Sequence, residues 1–583
     1  MDYSELADHY EKIENTSKRL EKTALIADIL KKTSKDDKKR IVLLLQGRVF
    51  PEWDERKIGI ASRLVIKALN KSTGSSSQEI EKEWKDTGDL GETAENLVSK
   101  KKQSTLFSSK LTVKKVFENI KNLALMEGKG SIDQKMHLIS ELLTSAKPKE
   151  AKYIVRTLLE ELRVGASKGT LRDSIIKAFF EDVYENRDSD DTKKEEFKKI
   201  TASVQRAYDL TNDFSEVVDI VEESGISGLD SVSLKVNKPV NPMLFPKAVD
   251  IEDGFRIVGK PAIIEYKYDG FRVQIHKDED NVELYTRRLE NVTNQFPDVV
   301  ESIKKQVKAK KCILDSEVLG INYETGDKLP FQNISQRIRR KYNIEDMVKR
   351  IPVVIVIFDI MRLEEESLLE NDFSKRRDIL EKTINVKKNE IELSEKITTE
   401  DLDEANKFYQ KSLLLGNEGI MMKSLSKGYK PGARIGYAVK VKPVLEPLDL
   451  VITKAEWGRG KRTGWVTSFT VSCRDEDNNL MEMGKVGTGV KELENPDSKE
   501  EFLTFKRFTD ILTPLIIKED GPTITVKPEI VVEVDYEEIQ KSTNYGSGYA
   551  LRFPRIKRIR EDLKEPCSIR DVERIYREQR GRG

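Results

Sequence analysis

From the N-terminus to about residue 225, apolar residues recur every three or four positions, as in SELADHYEKIENTSKRLEKTALIADIL and EAKYIVRTLLEELRV. That period places one apolar stripe on each helix, so the segment predicts amphipathic helices packed on one another. Glycine-bearing breaks fall at Lys71–Ser77, Gly88–Gly91 and Gly165–Gly169, because glycine allows backbone angles that a helix does not. The last two breaks read either as phosphate-facing turns or as helix–helix corners. Residues 226–246, ISGLDSVSLKVNKPVNPMLFP, carry Pro239, Pro242 and Pro246, which fix an extended path and stop helix propagation. Beyond them the period changes to that of strands. AIIEYKYDGFRVQIH, NVELYTRR, KCILDSEVLGI and IPVVIVIFDIMRL are short β-branched runs interrupted by helical stretches such as SKRRDILEKTI, and after Pro447 the runs DLVITKAEW, WVTSFTVSC, LMEMGKVGTG and EIVVEVDYEEIQ are nearly all strand. The pattern predicts three domains: an all-α domain over 1–236, an α+β domain over 237–446 and a small β-barrel over 447–583.

Composition narrows the partners. The 583 residues suit three domains of ordinary size. Lysine plus arginine number 103 against 102 acids, so no global positive field draws in a polyanion, and any nucleic-acid surface must be built from local patches. The three cysteines, Cys312, Cys473 and Cys567, are widely spaced and provide neither a disulfide framework nor a four-thiolate zinc site. No window holds the roughly 18 apolar residues of a membrane span. The expectation is a cytoplasmic monomer without a membrane partner.

The sharpest chemical signal is EYKYDGFR at 265–272, where a lysine flanked by an acid and an Asp-Gly turn follows an apolar strand. The same residues could make an ordinary hairpin turn with Lys267 solvated. As a nucleophile the lysine needs activation: with a reference pKa of about 10.4, roughly one amine in 2,500 is neutral at pH 7. Arg272, Lys440, Lys442 and a metal ion are the candidate cations that would disfavour the ammonium form.

KYDG with its flanking glutamate and arginine resembles motif I of the covalent nucleotidyltransferases, the family of polynucleotide ligases and capping enzymes, and further motifs follow in family order. Thr286-Arg287-Arg288, Leu314-Asp-Ser-Glu317, Ile357-Phe358-Asp359, Glu418-Gly-Ile-Met-Met-Lys423, Lys440-Val-Lys442 and the basic run Arg552 to Asp562 are each similar to one of its conserved stretches. The helical N-terminal region, notably GDLGE (88–92) and ELRVGASKGTLRD (161–173), resembles the DNA-binding domain of archaeal and eukaryotic ATP-dependent DNA ligases.

This resemblance implies that ATP donates AMP to Lys267, the catalytic residue, for the sealing of nicked duplex DNA in replication, repair and recombination. It implies ATP contacts from Glu265, Arg272, Arg287, Glu317, Phe358, Arg434 and Lys440, with Phe358 stacking on adenine and Glu317 on the ribose. Lys423, Lys442 and Arg555 are expected to face phosphates. Glu317 and Glu418 are expected to hold magnesium, with manganese as the alternative, and Lys168 and Arg172 to hold DNA backbone. The C-terminal barrel is expected to be an oligonucleotide-binding (OB) fold. Two departures stand out: Ala438 occupies a position that is usually tryptophan, and Leu563 separates Asp562 from Lys564.

Gln103-Ser-Thr-Leu106-Phe107 resembles the abbreviated clamp-binding box of archaeal ligases, which implies a sliding clamp as partner, although a glutamine with paired apolar residues also arises by chance. Trp457 and Trp465 flank Gly458–Arg462; the tryptophans read as barrel core and the loop as a DNA contact. The rival readings are an RNA ligase or capping enzyme sharing the same core, and a non-catalytic DNA-binding scaffold.

Overall fold

A computed structural model of the chain describes all residues except 55, 102–109, 127, 129, 330, 341, 434, 459–461, 493–502 and 580–583. In the N-terminal part, helices run from Tyr3–Glu14 to Phe214–Asp230. Each buries its apolar stripe: Tyr3–Glu14 hides Tyr3, Leu6, Ala7, Tyr10 and Ile13, at the spacing that places side chains on one helix face. No helix among the described residues is long and apolar enough to cross a membrane.

The Gly88–Gly91 turn is a helix–helix corner. Asp89 caps helix Leu90–Ser99 by accepting from the backbone N–H of Gly91 at 2.7 Å and of Glu92 at 3.3 Å. The turn amides are therefore engaged within the fold. The other Asp89 oxygen takes Arg156 at 2.8 Å and Arg163 at 3.0 Å. Gly91 has no room for a side chain, since a Cβ would stand 2.7 Å from Arg156 Cγ and 2.8 Å from the Lys152 carbonyl oxygen.

The proline-rich segment is a strap laid across the middle domain. The Val240 N–H donates to Gln274 Oε1 at 2.9 Å, the Gln274 amide donates back to the Val240 carbonyl at 3.1 Å, and the Asn237 N–H donates to His276 Nδ1 at 3.0 Å. Leu234, Val240 and Met243 pack with Ile313, Met361 and Tyr429.

The middle domain holds two antiparallel ladders that position the site. One orders its strands Ala438–Val441, Gly419–Ser424, Ala262–Lys267, Lys396–Thr399. The other is built around Asn281–Thr286, Phe271–Asp278, Lys311–Ile321 and Val353–Leu363, neighbours in that order. Ala262, Ile264 and Tyr266 share a buried cluster with Phe255 and Val258 of helix Ile251–Val258 and with Ala405 and Phe408 of helix Leu402–Leu414, the Tyr266 and Phe408 rings stacking at 4.4 Å. The far face of the second sheet, Phe271, Val273, Ile275 and Leu314, is covered by Val299 and Ile303 of helix Pro297–Gln306 and by Leu380 of helix Phe373–Thr383.

In the C-terminal part the long strand Leu448–Trp457 pairs with Val466–Arg474 along one edge, and along the other first with Val531–Asp535 and then with Thr523–Val526. Irregular pairing between Ile452 and Lys454 lets the sheet curl. Among the described residues the ladder curls like a half-barrel and does not return on itself. Helix Phe505–Leu512 lies against the apolar interior, with Phe508 and Phe469 ring centroids 4.6 Å apart, so that face is covered without ladder closure. Trp457 and Trp465 pack against this core.

Candidate active site

Strand alternation builds one wall of the site. Because Ala262, Ile264 and Tyr266 face the core, Glu265 and Lys267 project from the opposite face. The antiparallel register sets Ile263 opposite Lys423, Lys267 opposite Gly419 and Met421 opposite Lys440, which brings Lys423 and Lys440 to that same face. Two glycines make the approach possible. A Cβ on Gly270 would stand 2.3 Å from the Val318 carbonyl oxygen, and one on Gly419, whose φ is +138°, would stand 2.2 Å from that of Val441.

Lys267 Nζ and Lys442 Nζ share one carboxylate oxygen, Glu418 Oε2, at 2.7 Å and 2.6 Å. The Glu418 N–H donates to the Lys267 carbonyl at 2.8 Å, which ties the two backbones. Burial pushes the Glu418 carboxyl up, but the ammonium groups of Lys267 and Lys442 override it and hold it well below the usual carboxylate range. Lys440 is pushed down by burial and by the neighbouring charges of Lys442 and Lys267. The cations expected around Lys267 are joined by an anion. Its nearest charge is a carboxylate, and the Arg272 guanidinium is engaged by Asp315 through Nε to Oδ1 at 2.8 Å. The Lys267 ammonium must lose a proton before its nitrogen can offer a lone pair.

The second sheet supplies the other wall. Arg272 and Glu317 are register partners. The Arg272 fork on Asp315 is completed by donation to the Met243 carbonyl at 2.9 Å and to the Tyr429 hydroxyl at 3.1 Å, while Tyr429 donates to Asp315 at 2.8 Å. Desolvation pushes the Glu317 carboxyl up to about 8, against the pull of Lys267 and Arg272. Phe358 is half-buried, its ring centroid 5.5 Å from the Arg272 guanidinium and 5.1 Å from Lys423 Nζ. Lys423, expected to face phosphate, is buried against Glu265 at 2.5 Å and over the Phe373 ring at 4.3 Å. Glu265 is held further by Arg377 at 3.2 Å and by Ser394, so it acts as a buried anchor.

Other expected residues lie elsewhere. Arg287 is exposed just past strand Asn281–Thr286. Arg555 is exposed on strand Arg555–Ile559, opposite Asp535. The residue of that basic run that does enter the cleft is Arg552, with Nη1 3.6 Å from both Asp269 Oδ1 and Glu418 Oε1. Lys168 pairs with Glu52 at 2.6 Å, and Arg172 with Asp173 at 2.7 Å and with Gln205 at 3.1 Å. Asp562 pairs with Arg560 at 2.8 Å. Arg434, the clamp-box residues Gln103, Leu106 and Phe107, and residues 459–461 of the tryptophan-flanked loop lie outside the described residues. Asp315, Tyr429 and Glu537 were not singled out from the sequence; only their position in the folded sheets and loops reveals them.

Among the described residues there is no group of three or more His, Cys, Asp or Glu arranged to hold a metal ion. The Glu418 charge contributes to raising the Glu317 carboxyl. Two carboxylates in a cleft lined by lysines are a donor set that fits magnesium, which is commonly held by one or two carboxylates together with substrate phosphates.

Comparison with known proteins agrees with this geometry. Residues 242–442 match the family model described as ATP dependent DNA ligase domain, residues 2–176 that of the DNA ligase N terminus, and residues 462–563 that of the ATP dependent DNA ligase C terminal region. The chain is 47% identical over 584 residues to the DNA ligase of Nanoarchaeum equitans, covering 100% of this chain and 99% of that one. It is 41% identical to the DNA ligase of Thermococcus fumicolans, covering 99% and 98%. Among solved structures, Pmar-Lig_Pre. shares the fold with a TM-score of 0.54 at 16% identity, over 95% of this chain and 99% of that one. The lysine strand, the paired carboxylates and the three successive family matches converge on one assignment: the chain belongs to the ATP-dependent DNA ligases.

Proposed function

We propose that the chain seals nicks in duplex DNA at the expense of ATP, through an AMP group carried on Lys267. The observation that carries this reading is the convergence of Lys267, Lys440, Lys442 and Glu418 on one sheet face, opposite Glu317 and Phe358 on the other. In the first step the Lys267 Nζ lone pair attacks the α-phosphorus of ATP. A P–N bond forms, the α–β phosphoanhydride breaks, pyrophosphate leaves and the lysine gives up a proton. In the second, an oxygen of the nick 5′-phosphate attacks the same phosphorus, the P–N bond breaks and the amine returns. In the third, the 3′-hydroxyl attacks the 5′-phosphate, a phosphodiester forms and AMP departs.

Lys440 and Lys442 stabilise charge on the α-phosphate, as preorganised cations do in phosphoryl transfer. Phe358 offers its ring to the adenine, and Glu317 offers its carboxyl to the ribose hydroxyls. Glu418 and Glu317 would hold magnesium, which when bound neutralises phosphate charge. Arg272, fixed by Asp315 and Tyr429, shapes the nucleotide end of the cleft. Lys168 and Arg172 on the helical domain, and the curled C-terminal sheet as an OB-type module, would hold the duplex through backbone phosphates.

Incubation with α-labelled ATP and magnesium is expected to give a covalent protein–AMP adduct that Lys267→Ala abolishes; a label retained by that variant would refute the assignment. Nicked DNA run beside nicked RNA identifies the polymer.

A further inference from the structure

The C-terminal domain lends a hairpin to the cleft. Strands Glu538–Lys541 and Tyr549–Arg552 pair Glu538 with Arg552, and the Glu537 N–H donates to the Arg552 carbonyl at 2.9 Å. Glu537 and Arg552 therefore arrive together. They meet complementary charges: Glu537 Oε2 lies 2.9 Å from Lys442 Nζ, while Arg552 Nη1 lies 3.6 Å from Glu418 Oε1. A cavity of about 420 Å³ lies between it and helix Phe331–Ile338, lined by Gln332, Gln336, Arg339, Gln540 and Arg552 among others. Ion pairs hold the hairpin over the site.

The two partners of Lys442 are not equivalent. Glu418 is 7% exposed and shared with Lys267, whereas Glu537 is 42% exposed. Releasing Glu537 costs little, because its carboxylate regains water, while releasing Glu418 would strand a buried charge. An ammonium has three hydrogens to offer, and one of them goes to Glu537 of the hairpin.

We infer that Glu537 is an exchangeable occupant of the phosphate subsite on Lys442, a carboxylate standing where a substrate phosphate oxygen binds, so that it sets the enzyme's affinity for the triphosphate. The inference rests on the function proposed above. ATP, carrying several negative charges, displaces the single carboxylate, and the departure of that carboxylate frees the hairpin from the lysine.

The test is the rate of protein–AMP formation as a function of ATP concentration for the full-length wild type, Glu537→Gln and Glu446→Gln. Glu446 pairs with Arg574 at 2.9 Å, a tie between the segment entering the C-terminal domain and its last helix that does not involve Lys442. Removing the competing carboxylate is expected to lower KM for ATP about fivefold with kcat within twofold, and to lower the inorganic pyrophosphate concentration for half-inhibition by a similar factor, while Glu446→Gln leaves both near wild type. An unchanged or higher KM in Glu537→Gln overturns the inference, and so does an equal fall in both variants, which would mean general loosening of the domain. Absence of an adduct in the wild type would instead refute the proposed function.

Discussion

Lys267 Nζ and Lys442 Nζ both lie within hydrogen-bonding distance of a single oxygen, Glu418 Oε2, at 2.7 Å and 2.6 Å. One carboxylate thus holds together two ammonium groups that would otherwise repel across a largely desolvated cleft. Replacing it by an amide of the same shape removes that charge and one of the two candidate metal oxygens. Glu418→Gln is expected to slow protein–AMP formation at least about a hundredfold, in line with the loss of a preorganised electrostatic group. Single-turnover labelling measures this, and a rate within threefold of wild type would show that the carboxylate is dispensable.

Tyr429 has no role that the sequence suggested, yet its hydroxyl donates to Asp315 at 2.8 Å and accepts from Arg272 at 3.1 Å. Tyr429→Phe removes these two bonds to the Arg272–Asp315 fork, together with one accepted from the Met243 N–H at 3.3 Å, and keeps the ring. Two net hydrogen bonds at roughly 1 kcal/mol each place the expected rise in KM for ATP between about five- and thirtyfold, with kcat affected less, because the residue acts through Arg272. A fall confined to kcat would contradict this positioning role.

The chemistry was legible where it depends on local residue type and strand period. EYKYDGFR and KVK place their lysines by alternation alone, and register then brings them together. The helical, α+β and strand-rich succession was legible for the same reason. What could not be read is whatever depends on contacts between distant segments. The Glu418–Lys267 pair joins residues far apart in the chain, so the nearest neighbour of the nucleophile turned out to be anionic. Arg552 rather than Arg555 reaches the cleft because Arg552 ends a strand paired with Glu538, whereas Arg555 begins a strand paired with Val531–Asp535. That four strand-like runs curl around one apolar interior was legible from their period, whereas the helix lying against that interior was not.

Arg156 is 3% exposed and bonded to Asp89 at 2.8 Å and to Glu14 at 2.9 Å. Asp89 also caps the helix Leu90–Ser99. Asp89→Ala leaves the guanidinium with one of its two closest acidic partners and the helix without its cap. Breaking a buried pair from one side costs about 3–5 kcal/mol. The denaturation midpoint of the helical domain is expected to fall accordingly, followed by circular dichroism in urea, while Arg163→Ala, which removes a more exposed partner of the same carboxylate, should cost far less. Equal losses would mean that the cap and the buried pair contribute little.

His276 gives the fold a definable sensitivity to acid. Both ring nitrogens are engaged inside the protein, Nδ1 accepting from the Asn237 N–H at 3.0 Å and Nε2 lying 2.8 Å from Gln274 Oε1, and burial lowers its pKa from 6.5 to about 3. The folded chain keeps this imidazole neutral while the unfolded chain protonates it near pH 6.5, so between those values the unfolded state binds more protons and stability falls as pH falls. From neutral pH down to pH 5 the loss is about 2 kcal/mol from this group alone. His276→Gln can keep a donor and an acceptor there without titrating. It is expected to be less stable than wild type at pH 7.5, through imperfect replacement of the ring, but to lose less of its stability on acidification. Chemical denaturation of both proteins at pH 7.5 and pH 5 measures the difference, and parallel losses would show that the strap over Gln274 and His276 is not the acid-sensitive element.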